Sequence, residues 1–337
     1  MEIKQAIQGV IDAKNLTEEN AYSVAMNIME GGATDAQISA LLVGLRLKGE
    51  TIEEITGFVR AMREKAIPIP AGNKDLVDTC GTGGDCSGTF NVSTLSGLVA
   101  AAAGCSVAKH GNRSVSSQCG SADLLKELGL NLEISAEQMA KCIDEQGFGF
   151  LFAPLLHKAM KYAIGPRREI GIRTIFNILG PMTNPANAKR QLLGVFDGQL
   201  TEPLCQVLQR LGSEHVMVVH GEDGIDEITL SDKTRVTELK DGKVETYQID
   251  PEQFGLAKAS IEAVKGGDPA QNKKIALSIL RGEKGAPRDM VLLNTGAVMY
   301  VGGKAESIED GIQMTAEVLD SGKAMDKLEA IIKATNE

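Results

Sequence analysis

The strongest chemical signal in the chain is glycine-rich sequence that follows a short apolar segment near residue 80. Residues Leu76 to Thr79 predict a strand, and Gly81, Gly83 and Gly84 follow soon after it. Small residues from Leu95 to Ala103 predict a helix soon afterwards. Glycine allows backbone conformations that direct several N–H groups to one point, and a helix N-terminus adds positive partial charge. This order of strand, loop and helix predicts an anion-binding site.

The loop differs from both common phosphate-binding fingerprints. A P-loop needs lysine directly after its last glycine, and a dinucleotide-binding loop needs glycine where Cys86 stands. Asn91, Ser93 and Thr94 can cap the following helix, and hydroxyl groups can bind phosphate or a phosphate-held metal. A tight turn that merely requires glycine is the alternative interpretation of this loop taken alone.

A second polar loop, from Ala108 to Ser121, follows the next predicted strand. Lys109 at the strand end is placed to act as a point charge on an anion, with Ser116 and Ser117 as neutral donors. Ser121 is expected to cap the helix that follows. A solvated polar loop is the alternative for this segment alone. Two donor-rich loops at neighbouring strand ends together predict a ligand with several phosphates.

An acidic pair, Asp226 and Glu227, is the best candidate for a metal site. Adjacent residues on a regular strand point to opposite faces, so these two carboxylates can converge only from a loop. Magnesium prefers oxygen ligands and usually takes one or two carboxylates together with substrate phosphates. The alternative is an acidic surface turn that also includes Glu222 and Asp223.

The four histidines divide into two groups. His110 lies in the second polar loop, where it can contact a substrate or fix the backbone. His157 is predicted on a helix that precedes Arg167, where it can form part of the wall of a binding pocket. His215 and His220 flank an apolar strand, which favours structural roles.

These residues need a framework, and the N-terminal part of that framework is predicted to be helical. Thr34 with Gln37, and Thr51 with Glu54, fit capping boxes in front of apolar positions at helical spacing. The stretch from Pro68 to Asn73 breaks this pattern and indicates a linker or hinge.

Strands and helices alternate from Leu76 onwards, which favours a largely parallel sheet covered by helices. We therefore predict an α/β protein in which a small all-helical domain, residues 1–70, is hinged to a larger α/β domain, residues 74–337. Residues Val236 to Ile249 predict a β-hairpin, interpreted as an appendage, and Met290 to Val301 predict a buried helix. The predicted strands are Leu76–Thr79, Val107–Lys109, Phe148–Phe152, Gln191–Phe196 and His215–Val219.

Composition narrows the class of protein. The chain of 337 residues has a formal net charge of −10 and no basic stripe, which argues against nucleic acid as a partner. Six cysteines form no C-x-x-C pair, so free thiols in a reducing cytoplasm are the simplest expectation. The longest apolar run, Leu98 to Ala103, is too short to span a membrane.

Five short motifs occur along the chain: D-T-C-G-T-G-G-D at 78–85, F-N-V-S-T at 90–94, K-H-G-N-R at 109–113, G-P-R-R-E-I-G-I-R-T-I-F-N at 165–177, and G-P-M-T-N-P at 180–185. Together they resemble the anthranilate phosphoribosyltransferase family. The similarity covers nearly the whole chain, including the helical N-terminus. The resemblance implies a helical domain, joined by helices from about 166–186, hinged to an α/β domain, and a homodimer formed through the helices.

The resemblance also implies the reaction. A phosphoribosyl group would pass from phosphoribosyl pyrophosphate to the amine of anthranilate, with two Mg²⁺ ions expected, in the second step from chorismate to tryptophan. The diphosphate substrate would contact Gly81, Gly84, Asp85, Thr89, Asn91, Val92, Ser93, Thr94, Lys109, His110, Gly111, Asn112, Arg113, Ser114, Val115, Ser116, Ser117 and Ser121. Anthranilate would contact Gly81, Asn112 and Arg167, and magnesium would contact Ser93, Asp226 and Glu227.

The chain departs from the family pattern at two positions. Cys86 stands where the family usually has glycine, and Lys158 replaces the proline that commonly follows the histidine at this point. Two other functions stay open at this point: a pyrimidine nucleoside phosphorylase, which has a similar fold, and a non-catalytic relative that uses the cleft for binding. The Asp226–Glu227 pair and Arg167 count against the phosphorylase, which needs no metal held by a diphosphate.

Overall fold

The computed structural model describes residues 1–73, 75–113 and 118–337. Within them the chain forms a helical N-terminal unit and a larger α/β unit around one sheet, which confirms the predicted fold class. The strands are β1 Leu76–Gly81, β2 Ser106–Gly111, β3 Phe148–Phe152, β4 Arg190–Gly194, β5 His215–Gly221, β6 Thr234–Lys240 and β7 Lys243–Ile249.

The helices cover both faces of the sheet and build the N-terminal unit. The α-helices are α1 Ile3–Ile11, α2 Glu18–Met29, α3 Asp35–Lys48, α4 Ile52–Lys65, α5 Val92–Ala102, α6 Ser121–Leu128, α7 Ala136–Gln146, α8 Ala153–Leu156, α9 Lys161–Ile170, α10 Phe176–Leu179, α11 Thr201–Arg210, α12 Pro269–Leu280, α13 Ala286–Val301, α14 Ile308–Asp320 and α15 Lys323–Asn336. Short 3₁₀ turns occupy Lys158–Met160, Gly180–Met182, Gly198–Leu200, Pro251–Phe254 and Ile261–Val264.

Both predicted capping boxes are present at the starts of α3 and α4. The Thr34 and Thr51 side chains each accept a hydrogen bond from a backbone N–H in the first turn. Glu54 also accepts from the Leu16 N–H at 2.9 Å and the Lys48 ammonium at 2.8 Å, so this buried carboxylate joins two helices and the turn before α2. Capping fixes where these helices begin, and their apolar faces then bury against each other.

The sheet has seven strands in the order β3-β2-β1-β4-β5-β6-β7. The first five of these are parallel, and β6 and β7 are antiparallel. The chain leaves β1 for β2 in one direction and later leaves β4 for β5 in the other. The strand order therefore reverses between β1 and β4, and in open α/β sheets ligands bind at such a point, beyond the carboxyl ends of the strands.

The hairpin of β6 and β7 is confirmed, but its interpretation as an appendage is wrong. β6 pairs with β5 over all but its last residue, from Val216 opposite Leu239 to Gly221 opposite Thr234. Val236 and Leu239 are buried in the two main apolar clusters. The hairpin extends the sheet because β6 covers what would otherwise be an exposed edge of β5.

Alternate residues of the sheet bury against different partners. Met217 and Val219 face a cluster that includes α5 and α13, whereas Val216 and Val218 face a cluster that includes α11 and the N-terminal helices. α13 is buried along nearly its full length, as predicted. The helical unit is thus packed onto one face of the sheet, and its core is continuous with the sheet on that side.

The link between the two units is attached at several points. The Ile67 and Ile69 N–H groups donate to the carbonyls of Leu156 and Pro185, and the Gly72 N–H donates to the Asp144 carboxylate. Ile69 is itself buried. We keep the hinge, and the division at residues 70 and 74, as predictions. In the described residues, no helix combines the length and apolar character needed to cross a bilayer.

Candidate active site

Two glycines mark the point where the strand order reverses. Gly81 ends β1, Gly194 ends β4, and the two residues are paired across the sheet. A Cβ added at Gly81 would lie 2.5 Å from the Asp226 carboxylate oxygen, and one added at Gly194 would overlap the Asp226 backbone carbonyl. Asp226 therefore lies against the two strand ends, in space that exists because neither residue has a side chain.

The acidic pair lies inside the crevice and not on a surface turn. Asp226 accepts a hydrogen bond from the Gly83 N–H at 2.8 Å, and Glu227 accepts one from the Ser93 N–H at 3.1 Å, in the first turn of α5. The buried Asn294 side chain bonds both the N–H and the carbonyl of Ile228, at 3.0 and 2.8 Å. These bonds turn the loop after β5 inward and bring Asp226 to the glycine loop and Glu227 to the start of α5, so the two carboxylates do extend from a loop.

The electrostatics of this pair suit a cation. Loss of water raises the pKa of Asp226, and the nearby Asp85 carboxylate raises it further. Loss of water is also the main cause that raises the pKa of Glu227, followed by the charge of Asp226. Three acidic side chains that disfavour each other's charge would be relieved by a bound divalent ion. Among the described residues, however, no group of three or more His, Cys, Asp or Glu side chains forms a complete metal-binding cluster.

Lys109 lies behind this pair, deeper than the sequence suggested. Its side chain is 1% exposed, and its ammonium group donates to the Thr79 carbonyl and, at 3.3 Å, to the Ser93 hydroxyl. Burial lowers the pKa of Lys109, while Asp78, Asp226 and Glu227 nearby act in the opposite direction. The ammonium group thus supports Ser93 and balances the acids. A direct contact between Lys109 and a substrate phosphate stays a prediction.

A buried carboxylate beneath the crevice, Asp78, connects three segments. It accepts from the His110 N–H at 3.0 Å and from the Asn184 amide at 2.8 Å, and the same amide nitrogen donates to the Ala108 carbonyl at 2.8 Å. Burial is the main cause that raises the pKa of Asp78. Sequence reasoning assigned no role to Asp78 or Asn184, although a polar residue in the middle of a predicted buried strand was an available signal.

His110 and His157 form a buried pair next to this network. Their Nε2 atoms are 3.2 Å apart, and His110 Nδ1 lies 3.1 Å from the Gly180 carbonyl. Burial lowers the pKa of His110 to about 3 and that of His157 to about 4, so both rings are neutral near pH 7. His157 lies between α8 and a 3₁₀ turn and not on a helix, which corrects the prediction.

The structure distinguishes Arg167 from Arg168, which the sequence alone could not do. Arg168 is exposed, whereas Arg167 is half-buried in the last turn of α9, with its guanidinium carbon 5.3 Å from the centre of the Phe176 ring. Burial lowers the pKa of Arg167. Among the described residues its guanidinium has no hydrogen-bond or ion-pair partner. A partly desolvated arginine with free donors is suited to an incoming carboxylate.

The two polar loops are joined through their helices, and two predicted caps are wrong. Asn91 stands at the N-cap of α5, but its side chain bonds the Cys119 carbonyl and the Asn272 amide instead of the helix. Ser121 is the first residue of α6, and Gly120 is the N-cap. The Ser121 hydroxyl accepts from the Thr94 hydroxyl at 2.9 Å, so these side chains connect α5 to α6 because tertiary partners replaced the local caps.

Comparison with known proteins decides the family. Residues 4–66 match the helical bundle domain of the glycosyl transferase family, and residues 73–325 match its a/b domain. A protein named anthranilate phosphoribosyltransferase, from Alkaliphilus metalliredigens, is 53% identical over 335 residues, which are 99% of each chain. This chain belongs to the anthranilate phosphoribosyltransferase family.

Solved structures of the anthranilate phosphoribosyltransferase family agree with this fold. The crystal structure from Thermus thermophilus has a TM-score of 0.94 and 45% identity, and covers 98% of this chain and 99% of that one. The structure from Saccharomyces cerevisiae in complex with PRPP and Mg has a TM-score of 0.90 and 25% identity, and covers 99% of this chain and 98% of that one.

The two departures from the anthranilate phosphoribosyltransferase pattern have different consequences. Cys86 has φ +59°, a left-handed conformation that favours glycine, so the cysteine carries strain at the position where the family usually has glycine. Lys158 begins the 3₁₀ turn and is exposed. The Cys86 thiol lies 3.6 Å from the Gly84 carbonyl, and among the described residues neither Cys86 nor Lys158 forms a hydrogen bond or ion pair with the acidic pair.

The remaining predicted contacts are distributed along the same loops. Gly84, Asp85 and Thr89 lie on the loop between β1 and α5, and Val92 is the buried first residue of α5. Gly111, Asn112 and Arg113 continue from β2, where the Asn112 side chain accepts from the Arg113 N–H at 2.7 Å. The predicted contacts at Ser114, Val115, Ser116 and Ser117 lie outside the described residues.

Proposed function

We propose that this crevice carries out the family reaction. The phosphoribosyl group of phosphoribosyl pyrophosphate passes to the amine of anthranilate, which gives N-(5-phosphoribosyl)anthranilate and releases pyrophosphate. The observation that carries this proposal is the placement of Asp226 and Glu227 between the glycine loop, the first turn of α5 and the ends of β1 and β4.

The glycine loop and the start of α5 are proposed to bind the diphosphate. Backbone N–H groups there face a region that already attracts two carboxylates, and the helix dipole favours negative charge. Ser93, Asp226 and Glu227 would hold Mg²⁺, and we propose two ions. A bound ion offsets the negative charge that develops on pyrophosphate as it leaves. Lys109 holds the Ser93 hydroxyl in place for this task.

The acceptor is proposed to lie towards α9. Arg167 would bind the anthranilate carboxylate, and Asn112 and the Gly81 backbone would complete the pocket. An aromatic amine is weakly basic, so it needs correct placement more than activation by a strong base. His110 and His157 are neutral near pH 7, so they can line the pocket without adding a competing positive charge. We assign no covalent nucleophile and no general base.

One assay tests the reaction itself. Loss of anthranilate fluorescence should require both phosphoribosyl pyrophosphate and Mg²⁺, and one pyrophosphate should appear for each anthranilate consumed. Glu227→Gln should reduce the rate at limiting Mg²⁺, and Glu222→Gln, on the exposed part of the same loop, should behave as wild type. Turnover of thymidine or uridine with phosphate, and none of anthranilate, would establish a nucleoside phosphorylase instead.

We also propose a homodimer through the helical unit. Ile11 on α1, Leu47 on α3 and Ile164 on α9 are large apolar side chains that are 64%, 83% and 47% exposed, and α3 packs against both α1 and α9. Burial of these residues against a second copy would remove them from water. Leu47→Glu should shift the mass measured by light scattering towards the monomer, whereas Lys14→Glu should not. A wild-type monomer would contradict the proposal.

The partners and location complete the proposal. Among the described residues no cysteine forms a disulfide, which fits the reducing cytoplasm. The net charge of −10 fits small phosphate and carboxylate substrates bound in a local pocket, and it gives no support to nucleic acid as a partner.

A further inference from the structure

Arg173 makes two contacts that no part of the proposed chemistry uses. It follows α9 on the segment that leads into α10, and it is exposed. One guanidinium nitrogen donates a hydrogen bond to the Gly84 carbonyl, and the guanidinium carbon lies 4.2 Å from the centre of the Phe196 ring. An exposed arginine is usually free to move, yet this one is held on an aromatic face and directed at one backbone carbonyl.

The aromatic face is itself fixed to the glycine loop. The Phe196 N–H donates to the Thr82 hydroxyl at 3.1 Å, and the Thr82 N–H donates to the Gly194 carbonyl at 2.9 Å. Phe196 therefore keeps a constant position relative to the start of the loop, and Arg173 spans from there to the loop's centre.

The Gly84 carbonyl that Arg173 binds has one other donor among the described residues, the Cys86 thiol at 3.6 Å, which is a weak donor. Gly83 and Gly84 both have positive φ, +61° and +78°, and glycine has more accessible conformations than any other residue. In a planar trans peptide the C=O and N–H groups point in opposite directions. Fixing the Gly84 carbonyl towards Arg173 therefore fixes the Asp85 N–H in the opposite direction.

We propose that Arg173 is a positioning residue that sets the peptide between Gly84 and Asp85 for diphosphate binding. Arg173 acts through the loop backbone. Its planar guanidinium, stacked on Phe196, fixes the direction in which the Gly84 carbonyl points. Without it the loop would have to become ordered when the substrate binds, and that ordering would weaken binding. This inference rests on the proposed function, which assigns the loop to the diphosphate.

The test measures KM for each substrate separately, with Mg²⁺ in excess. Arg173→Met should raise KM for phosphoribosyl pyrophosphate about tenfold and change kcat and KM for anthranilate less than about twofold. Arg173→Lys keeps the charge but not the planar fork, so its KM for phosphoribosyl pyrophosphate should stay close to that of Arg173→Met. Phe196→Leu should act in the same direction, and the double variant should be no worse than Arg173→Met alone. Arg281→Met, on an exposed arginine at the end of α12, is the matched control.

A spectroscopic measurement shows the contact without any turnover. The chain contains four tyrosines but no tryptophan, so Phe196→Trp introduces one tryptophan under the guanidinium, which can be excited selectively at the red edge of its absorption. In that background Arg173→Met should change the emission of the ligand-free protein, whereas Arg281→Met should not. An emission that does not respond to loss of Arg173 would overturn the stacked arrangement.

The kinetic results distinguish the possible failures. A rise in KM for anthranilate alone would mean that Arg173 binds the acceptor, and wild-type activity of Arg173→Lys would mean that charge alone matters; either result overturns the inference. Ser93→Ala, in the first turn of α5, tests independently whether the glycine loop and the start of α5 bind the diphosphate. If Ser93→Ala raises KM for phosphoribosyl pyrophosphate and Arg173→Met does not, the inference fails and the proposed function stands. If neither variant changes that KM, the loop assignment fails as well.

Discussion

The buried histidine pair should make the protein less stable in acid by an amount that one substitution can isolate. His157 is 8% exposed and its pKa falls from 6.5 to about 4 in the folded chain. Because the unfolded chain binds a proton more readily than the folded one, this contribution to the free energy of unfolding is complete above about pH 6.5 and is lost as the pH falls towards 4.

The expected size follows from the two pKa values. Between about pH 7 and pH 5 a shift from 6.5 to 4 lowers the free energy of unfolding by about 2 kcal/mol. His110, with a pKa of about 3, contributes a similar amount over that interval. Both rings are still mostly neutral in the folded chain at pH 5, so their mutual repulsion barely enters this range. The raised pKa values of Asp226 and Glu227 act in the opposite direction, so the prediction concerns the difference between two proteins.

Urea unfolding at pH 7 and pH 5 provides that difference. His157→Gln keeps a side-chain donor near His110 but cannot be protonated, so its stability should fall by about 2 kcal/mol less than that of wild type. Lys158→Gln, next in sequence and exposed, should keep the wild-type difference. An identical loss in wild type and His157→Gln would refute the reasoning, because it would mean that His157 binds a proton equally well in the folded and unfolded chains.

Three further predictions concern substrates and motion. Arg167→Ala should raise KM for anthranilate about tenfold to a hundredfold, the effect of one charged hydrogen-bonded pair, and leave KM for phosphoribosyl pyrophosphate nearly unchanged; equal effects on both would indicate a role in the shape of the cleft. Asp226→Asn with Glu227→Gln should raise the Mg²⁺ concentration needed for half-maximal rate, and an unchanged titration would remove the metal assignment. X-ray scattering with both substrates should show a smaller radius of gyration if the link from Pro68 to Asn73 permits closure, and superimposable curves would mean that the units move as one.

Local sequence predicted the elements well where one segment contains all the information. β3 has the predicted bounds, Phe148–Phe152, because an apolar run and the glycine before it define the strand. The hairpin was also visible, but its attachment to β5 was not. That attachment depends on which edge of the sheet is free, and the sequence from Val236 to Ile249 contains no information about that edge. Sheet order is set by competition between distant strands, so it lies outside what a local pattern can contain.

The candidate site shows the same limit. Its acids, arginines and loops were each predicted from short motifs, but Asp78, Asn184 and Arg173 acquire their roles only from partners far away in sequence. Asn184 bonds a strand residue 106 positions earlier, and Arg173 bonds a loop 89 positions earlier. A motif shows that a residue type is available. Which partners its side chain contacts depends on tertiary packing.

Gly81 illustrates how a residue can be selected from the sequence for an incomplete reason. The glycine-rich sequence suggested backbone freedom, and Gly83 and Gly84 do have positive φ, but Gly81 does not. What Gly81 provides is space, which it shares with Gly194 on the neighbouring strand, and Asp226 fills that space. The acid proposed to bind metal and the loop proposed to bind phosphate therefore depend on the same residue, because the glycine that begins the loop also leaves room for the carboxylate. A side chain at either glycine would displace Asp226, and with it the Gly83 N–H that the loop directs towards the site.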